Sequence, residues 1–165
     1  MSIPSNGNSG PAGDPADPAG QPGGDPPRLQ ACAIPYRWVA GELRYLVVTS
    51  SEGDRWIFPK GVVDPGFTAQ ESAIAEAFEE AGARGQLSAI PLHRYPRKKW
   101  GHDWTVLVFG LECVELAADW SESFRSRRWI TFEEGEALLP RDLRESLEAV
   151  HRQLTDPGQG SLPER

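Results

Sequence analysis

Residues 68–82 read TAQESAIAEAFEEAG, and this stretch decides how the surrounding chain can fold. Thr68 and Glu71 have the spacing of a capping box, in which each side chain accepts a hydrogen bond from the other residue's amide, so they predict a helix start. Gly82 predicts the helix end, because glycine adopts the left-handed conformation without strain. Apolar residues recur at the i, i+3, i+4 and i+7 positions and predict one buried stripe, made of Ile74, Ala77, Phe78 and Ala81.

Three glutamates of the same helix, Glu76, Glu79 and Glu80, recur with the same period, and we expect them opposite the apolar stripe. Carboxylates at these spacings repel each other, and they lie in the last turns, where the helix dipole is already negative. A cation bound between them would reverse both penalties. The alternative is a solvated acidic face, which is common on helices. The acidic residues in 133–136 need no cation, since they follow Thr131 in a second capping box at a helix start.

The residues before the helix complete a longer motif. Residues 56–61 (WIFPKG) predict a short strand, and residues 62–66 (VVDPG) end in a turn. Residues 61–83 resemble the Nudix box of the Nudix hydrolases, a pattern of glycine, five residues, glutamate, seven residues and then Arg-Glu-apolar-x-Glu-Glu-x-Gly-apolar. The matching positions are Gly61, Glu76, Ala77, Glu79, Glu80, Gly82 and Ala83. The resemblance extends over about residues 29–150, and it is nearest to the diphosphoinositol-polyphosphate and diadenosine-polyphosphate hydrolase branch.

The resemblance implies an α/β/α sandwich with a central mixed sheet, and a pyrophosphohydrolase that uses Mg²⁺ or, as a substitute, Mn²⁺. It implies that the metal ligands are Glu76, Glu79, Glu80 and the backbone carbonyl of Gly61. Glu79 is the expected general base, and Glu76 is the alternative. The expected substrate is a small-molecule polyphosphate, namely a nucleoside diphosphate derivative, a dinucleoside polyphosphate or an inositol pyrophosphate.

Positive charge is local in an acidic chain, which has 17 Lys and Arg against 24 Asp and Glu and a net charge of −7. This balance argues against DNA as a partner. Basic residues cluster in segments 94–99 and 125–128, and such clusters would attract a polyphosphate. An ordinary solvated loop is the alternative for segment 94–99. The expected phosphate-contacting residues are Arg37, Arg55, Lys60, Lys98 and Arg127, of which the first three are also favoured by the resemblance.

Two positions depart from the Nudix pattern, because Phe67 and Ala75 replace its first glutamate and its arginine. In the family these two side chains form an ion pair that joins the loop to the helix. Losing only one partner of a buried pair would leave an isolated charge, whereas losing both leaves none. We therefore expect Phe67 to pack over Ala75 and to replace the ion pair by an apolar contact.

Composition and patterning predict one domain over residues 29–154. Residues 1–28 are rich in Pro and Gly and predict a disordered tail, and residues 155–165 predict a flexible C-terminal tail. No segment is long and apolar enough for a membrane span, and the two cysteines are expected as free thiols of a cytoplasmic protein. The sequence leaves the oligomeric state open.

Strands are expected over residues 29–40, 43–49, 86–95, 104–116 and 128–132, and a closing helix over about 138–154 or 141–154. Apolar residues on both faces near 106–111 predict a central strand covered on two sides. Two other functions stay open at this point. One is a degenerate Nudix-like module that binds nucleotides without cleaving them, and the other is an RNA 5′-end pyrophosphohydrolase.

Overall fold

The computed structural model describes residues 26–156, so most of both predicted tails lies outside the described residues. One sheet runs through the domain, and its central strands lie in the order β3-β2-β1-β7-β5, while β4 pairs with β1, β6 with β7 and β8 with β2. Three helices within residues 26–156 accompany the sheet. The elements in chain order are β1 (Leu29–Val39), β2 (Glu42–Thr49), β3 (Trp56–Ile57), β4 (Lys60–Val62), α1 (Ala69–Ala81), β5 (Ala83–Leu87), β6 (His93–Lys99), β7 (His102–Leu116), β8 (Arg127–Ile130), α2 (Phe132–Leu138) and α3 (Arg141–Thr155).

The sheet is mixed, because β1 and β7 run parallel whereas every other described pair is antiparallel. Successive side chains of a strand point to opposite faces. On β1, Cys32 and Ile34 pack in the core that contains α3, whereas Ala31 and Ala33 pack in the core that contains α1. Helices therefore cover both faces, and the predicted α/β/α sandwich is confirmed.

Helix α1 begins and ends as its sequence predicts. The Glu71 amide donates to Thr68 Oγ1 at 3.1 Å, and the Thr68 amide donates to Glu71 Oε1 at 3.2 Å. Gly82 adopts the left-handed conformation, with φ +67°, and its amide donates to the carbonyls of Ala77 and Phe78. The cap fixes where the helix starts, and hence which of its turns faces β4.

We predict that Thr68→Val lowers the free energy of unfolding by about 1 kcal/mol, because valine cannot accept the capping hydrogen bond. Thr68→Ser keeps the accepting oxygen and is the matched control, with an expected change of a few tenths of a kcal/mol. Urea denaturation of the two variants measures the difference. Equal stabilities would contradict the role given to the cap.

The other elements differ from the sequence prediction mainly in one place. The expected strand over residues 86–95 is two strands, β5 and β6, which both pair with β7. The predicted two-sided burial of β7 is confirmed, because Val106 and Val108 face the α3 core while Phe109 and Leu111 face the α1 core. Both cysteines of the described chain are free thiols, as expected.

Candidate active site

The buried face of α1 is not the face that the apolar spacing predicts. Its buried residues are Ser72, Ala73, Ala77, Glu80 and Ala81. Ile74 is 48% exposed, and Phe78 is only half-buried. Compared with the prediction, the helix is rotated about its axis, so that its small alanines contact the sheet and Glu80 is buried beside them. The glutamates therefore do not lie together on the outer side: Glu80 is buried, Glu76 is half-buried and Glu79 is exposed.

Glu76 and Glu80 face the backbone of β4. An atom added at the Cβ position of Gly61 would lie 2.0 Å from Glu76 Oε1, so the carboxylate occupies the space that any larger residue would need. The Lys60 amide donates to Glu80 Oε2 at 3.3 Å. Gly61, Glu76 and Glu80, three of the four predicted metal ligands, are thus brought together at one point between α1 and β4.

Burial makes this carboxyl pair resist ionisation. The pKa of Glu80 is raised to about 8, chiefly by burial; the charge of Arg125 opposes this rise, and the charges of Glu76 and Glu122 add to it. The pKa of Glu76 is also raised, first by burial and then by the charge of Glu79. The two carboxyl groups lie within hydrogen-bonding reach of each other. Two carboxylates this close hold both charges only with a cation nearby, so the pair suits a divalent metal.

Glu79 remains apart from this pair in the structure. Its side chain is exposed, and its backbone carbonyl accepts a hydrogen bond from the Glu122 amide at 3.0 Å. Within residues 26–156, no group of three or more His, Cys, Asp and Glu side chains is arranged to hold a metal ion. Hard oxygen donors are what Mg²⁺ prefers, and the two carboxyl groups supply them, whereas the Gly61 carbonyl as a ligand stays a prediction. Glu79 as the further ligand stays a prediction.

Sequence reasoning missed Arg125 as a member of the site. Its side chain is 7% exposed, and its Nη2 lies 3.8 Å from Glu80 Oε1 and 3.0 Å from Glu122 Oε1. Its Nη1 donates to the Thr49 carbonyl at 2.8 Å. The guanidinium therefore joins the end of β2, the β7–β8 loop and α1. No local pattern around Arg125 indicates this position, because it depends on how the loop folds back onto the helix.

The side chain of Lys60 places positive charge on the α3 face of the sheet, whereas the glutamates lie on the α1 face. Gly61 is paired with Ala31, on the α1 face, so the Lys60 side chain points to the α3 face with its partner Cys32. Burial lowers the pKa of Lys60 to about 8, and the charge of Arg97 lowers it further. The pKa of Lys99 is lowered by burial and then by Arg97 and Arg55. Arg55, Lys60, Arg97 and Lys99 therefore form one group, the basic set.

Three predicted phosphate contacts lie elsewhere. Lys98 is on the alternate face of β6 and points into solvent beside Asp103, with Nζ 3.9 Å from Oδ1. Arg37 lies over the Trp129 ring at 4.1 Å, six residues along β1 from the partner of Gly61, which is roughly 20 Å of extended strand. The structure therefore does not bring Lys98 or Arg37 to the basic set.

Arg127 sits at the end of α1. Its Nη1 donates to the carbonyls of Ala81 and Ala117, at 3.0 and 2.7 Å, and its guanidinium stacks on Trp120 at 3.8 Å. These contacts satisfy carbonyls at the helix C-terminus, where a positive charge is also favourable. They explain Arg127 without a substrate, and its phosphate contact stays a prediction.

The expected packing of Phe67 over Ala75 is wrong. Phe67 is 58% exposed, and Ala75 is exposed as well, so the two side chains do not bury each other. The physical reason is the rotation of α1, which turns Ala75 away from the sheet. The ion pair of the family pattern therefore has no apolar replacement at these positions, and the buried ion pair near the site is the one between Arg125 and Glu80.

We predict that Gly61→Ala lowers kcat/KM by about tenfold to 100-fold with little loss of stability. The new methyl group would occupy the position of the Glu76 carboxylate, which is the movable end of a side chain, so the carboxylate shifts while the backbone stays. Displacements of about 1 Å in an active site have effects of this size. Steady-state kinetics and thermal unfolding of the same samples check the two halves of the prediction. Unchanged kcat/KM would show that catalysis does not require the Glu76 carboxylate to lie in its position next to Gly61.

Comparison with known proteins identifies the family. The model of the NUDIX domain matches residues 30–154, which is most of the chain. The chain is 33% identical over 129 residues to Nudix hydrolase 16, mitochondrial, of Arabidopsis thaliana, covering 67% of this chain and 71% of that protein. The chain belongs to the NUDIX domain family, and the predicted family resemblance is confirmed. Its assignment as an enzyme of the Nudix pyrophosphohydrolase type agrees with these matches.

Two further similarities concern the branch and the fold. The chain is 33% identical over 97 residues to diphosphoinositol polyphosphate phosphohydrolase 3-alpha of Mus musculus, covering 57% of this chain and 58% of that protein. The crystal structure of a C. elegans Ap4A hydrolase superposes with a TM-score of 0.61 and 22% identity, over 78% of this chain and 99% of that chain. At this identity the superposition establishes the fold.

The helices of residues 26–156 are all too short or too polar to cross a membrane.

Proposed function

We propose that the protein hydrolyses a phosphoanhydride bond with Mg²⁺ as its cofactor, and that Mn²⁺ can replace Mg²⁺. The substrate is a nucleoside diphosphate derivative, a dinucleoside polyphosphate or an inositol pyrophosphate. The observation that carries this proposal is the pair of carboxyl groups of half-buried Glu76 and buried Glu80, which faces the backbone of β4 at Lys60 and Gly61. The names of the relatives support the substrate range, since they include an Ap4A hydrolase and a diphosphoinositol polyphosphate phosphohydrolase.

Glu76, Glu80, Glu79 and the Gly61 carbonyl would hold the metal. When bound, Mg²⁺ supplies charge neutralisation at the phosphates and a lower pKa for bound water. Arg125 keeps Glu80 in place from the side of the loop, through the 3.8 Å contact between Nη2 and Oε1. Glu80 is held a second time by the Lys60 amide, so its carboxylate has little freedom to turn away.

The basic set is the proposed phosphate-binding surface. The backbone amide of Lys60 donates to Glu80, so the basic set begins at the residue that touches the carboxyl pair, although the Lys60 side chain belongs to the opposite face. A chain of phosphates can lie against these cations while its scissile bond reaches the glutamates. Clustered like charges of this kind raise the local concentration of a polyanion on a protein that is acidic overall.

Glu79 is the proposed general base, with Glu76 as the alternative. Glu79 is exposed, so its carboxylate can reach a water molecule without disturbing the buried pair. Glu76 is half-buried against Gly61 and is better placed to hold a ligand. If this division is right, Glu79→Gln lowers kcat by a larger factor than it weakens Mn²⁺ binding, whereas Glu76→Gln weakens Mn²⁺ binding at least as strongly as it lowers kcat.

The test is a substrate panel with purified protein in Mg²⁺, in which release of phosphate or nucleotide is followed and a chelator serves as the control. Turnover that stops on chelation and is lost in Glu79→Gln supports the enzyme. Tight binding with no turnover of any substrate would favour the degenerate nucleotide-binding module. Turnover of 5′-triphosphorylated RNA alone would favour the RNA 5′-end pyrophosphohydrolase, which the net charge of −7 makes less attractive. A cytoplasmic location is part of the proposal, and the name of the Arabidopsis relative gives a mitochondrial one for that protein.

A further inference from the structure

The turn between β6 and β7 has an unusual residue in a demanding backbone position. Lys99 and His102 are paired, so Trp100 and Gly101 form a two-residue hairpin loop, and both have positive φ, +52° and +71°. Loops of this kind favour Asn-Gly, because a bulky residue with positive φ is strained.

The other two-residue hairpin of the chain shows that the turn needs no large side chain. It joins β1 to β2 through Ala40 and Gly41, whose φ values are +50° and +80°. Alanine is enough there. The indole of Trp100 therefore needs an explanation other than the backbone geometry.

Burial does not supply that explanation, because Trp100 is 64% exposed. The ring is nevertheless held in place. Trp104 meets it edge-on, with the ring centroids 5.6 Å apart and the planes at 74°, and Trp104 Nε1 donates to the Lys99 carbonyl at 3.0 Å. Lys99 Nζ lies 4.2 Å from the centre of the Trp100 ring. The result is a fixed, exposed indole with a cation over one face of its ring.

This indole stands at the edge of the basic set. Lys99 belongs to that set and is the residue that precedes Trp100. Leu107 of β7 is level with Ala31 and hence with Gly61, and five residues separate it from His102, which is roughly 17 Å of strand. A nucleoside with a chain of phosphates is an extended molecule that can cover such a span, with its phosphates on the cations and its base at the turn.

We propose that Trp100 stacks on the nucleobase of the substrate, and that the substrate is therefore nucleotide-derived and not an inositol pyrophosphate. This inference rests on the proposed function and narrows its substrate class. Stacking of a base on an aromatic side chain strengthens binding by about tenfold or more, whereas a saturated inositol ring has no π-face to offer. A cation beside the indole adds phosphate attraction at the same place.

The test compares two ligands that share a diphosphate and differ in the nucleoside, adenosine 5′-diphosphate and inorganic pyrophosphate. Binding is measured by calorimetry with Ca²⁺ in place of Mg²⁺. We expect the wild-type protein to bind adenosine 5′-diphosphate at least about tenfold more tightly than pyrophosphate, and Trp100→Asn to abolish that ratio without weakening pyrophosphate. Trp100→Phe is expected to keep part of the preference for adenosine 5′-diphosphate over pyrophosphate.

Trp100→Asn is informative because asparagine favours this turn, so the variant should be as stable as the wild type or more stable. The matched control is Trp38→Asn, which removes another exposed tryptophan (52% exposed) from the far end of β1 and should leave the ratio unchanged. Equal binding of the two ligands by the wild-type protein, or binding of neither, overturns the proposal. So does an equal loss of both ligands in Trp100→Asn, which would mean that the turn only supports the basic set.

The two proposals fail in different ways. If no substrate is hydrolysed but the preference for adenosine 5′-diphosphate over pyrophosphate depends on Trp100, the hydrolase proposal fails and base stacking stands. If an inositol pyrophosphate is hydrolysed equally well by the wild type and Trp100→Asn while the ligand ratio is absent, base stacking fails and the hydrolase stands.

Discussion

Glu80→Gln is expected to lower kcat/KM for the hydrolysed polyphosphate by at least about 100-fold while the protein stays folded. Glutamine has the shape of glutamate and can still accept the Lys60 amide hydrogen bond, so the contact between α1 and β4 persists. It lacks the negative charge that a divalent cation requires. Because Glu80 is held between Lys60 and Arg125, no neighbouring water or side chain replaces that charge easily.

Manganese binding followed by electron paramagnetic resonance gives a readout that does not depend on turnover, and its affinity should fall with kcat/KM. The control is Glu145→Gln, on the exposed surface of α3, where the glutamate pairs with Arg141. Thermal unfolding should be similar for both variants. Glu80→Gln with near wild-type kcat/KM would remove the basis of the proposed active site.

The second large effect concerns stability. Arg125→Ala is expected to lower the free energy of unfolding by about 2–3 kcal/mol, because partly buried Glu122 loses its cation and buried Glu80, whose carboxyl group resists ionisation, loses the guanidinium beside it. The Thr49 carbonyl also loses a hydrogen-bond donor. Removing one partner of a buried ion pair is far more destabilising than removing an exposed one.

Arg128→Ala is the matched control, since the Arg128–Glu134 ion pair is largely exposed and should contribute less than about 1 kcal/mol. Urea denaturation measures both. Combining Arg125→Ala with Glu122→Gln should recover part of the loss, because one unpaired charge is removed with the cation. A loss below about 1 kcal/mol for Arg125→Ala would mean that water reaches this pair and that the guanidinium does not hold the loop.

Local signals in the sequence predicted the local structure well. The capping box at Thr68 and the glycine at position 82 fixed both ends of α1, since each acts through backbone groups a few residues away. The apolar spacing was less informative, because alanines occupy two neighbouring rows of the helix. The space over the sheet takes Ala73 and Ala77 but leaves Ile74 outside, and no periodicity contains the width of that space.

The site was predicted where it depends on the motif and missed where it depends on the rest of the fold. The convergence of Gly61, Glu76 and Glu80 follows from a strand, a turn and a helix that are consecutive in the chain. Arg125 reaches Glu80 from a loop far along the chain, and Lys98 points away because β6 alternates its side chains in a register that composition does not fix. These contacts are tertiary, so only the assembled sheet determines them.

The β6–β7 turn is held by the hydrogen bond from Trp104 to the Lys99 carbonyl. Glu80 of the candidate metal site is held by a different residue, Arg125. The proposed base recognition and the proposed bond cleavage therefore lie on elements with separate anchors. A lineage could exchange the tip of this hairpin, and with it the preferred metabolite, while inheriting the hydrolytic machinery unchanged.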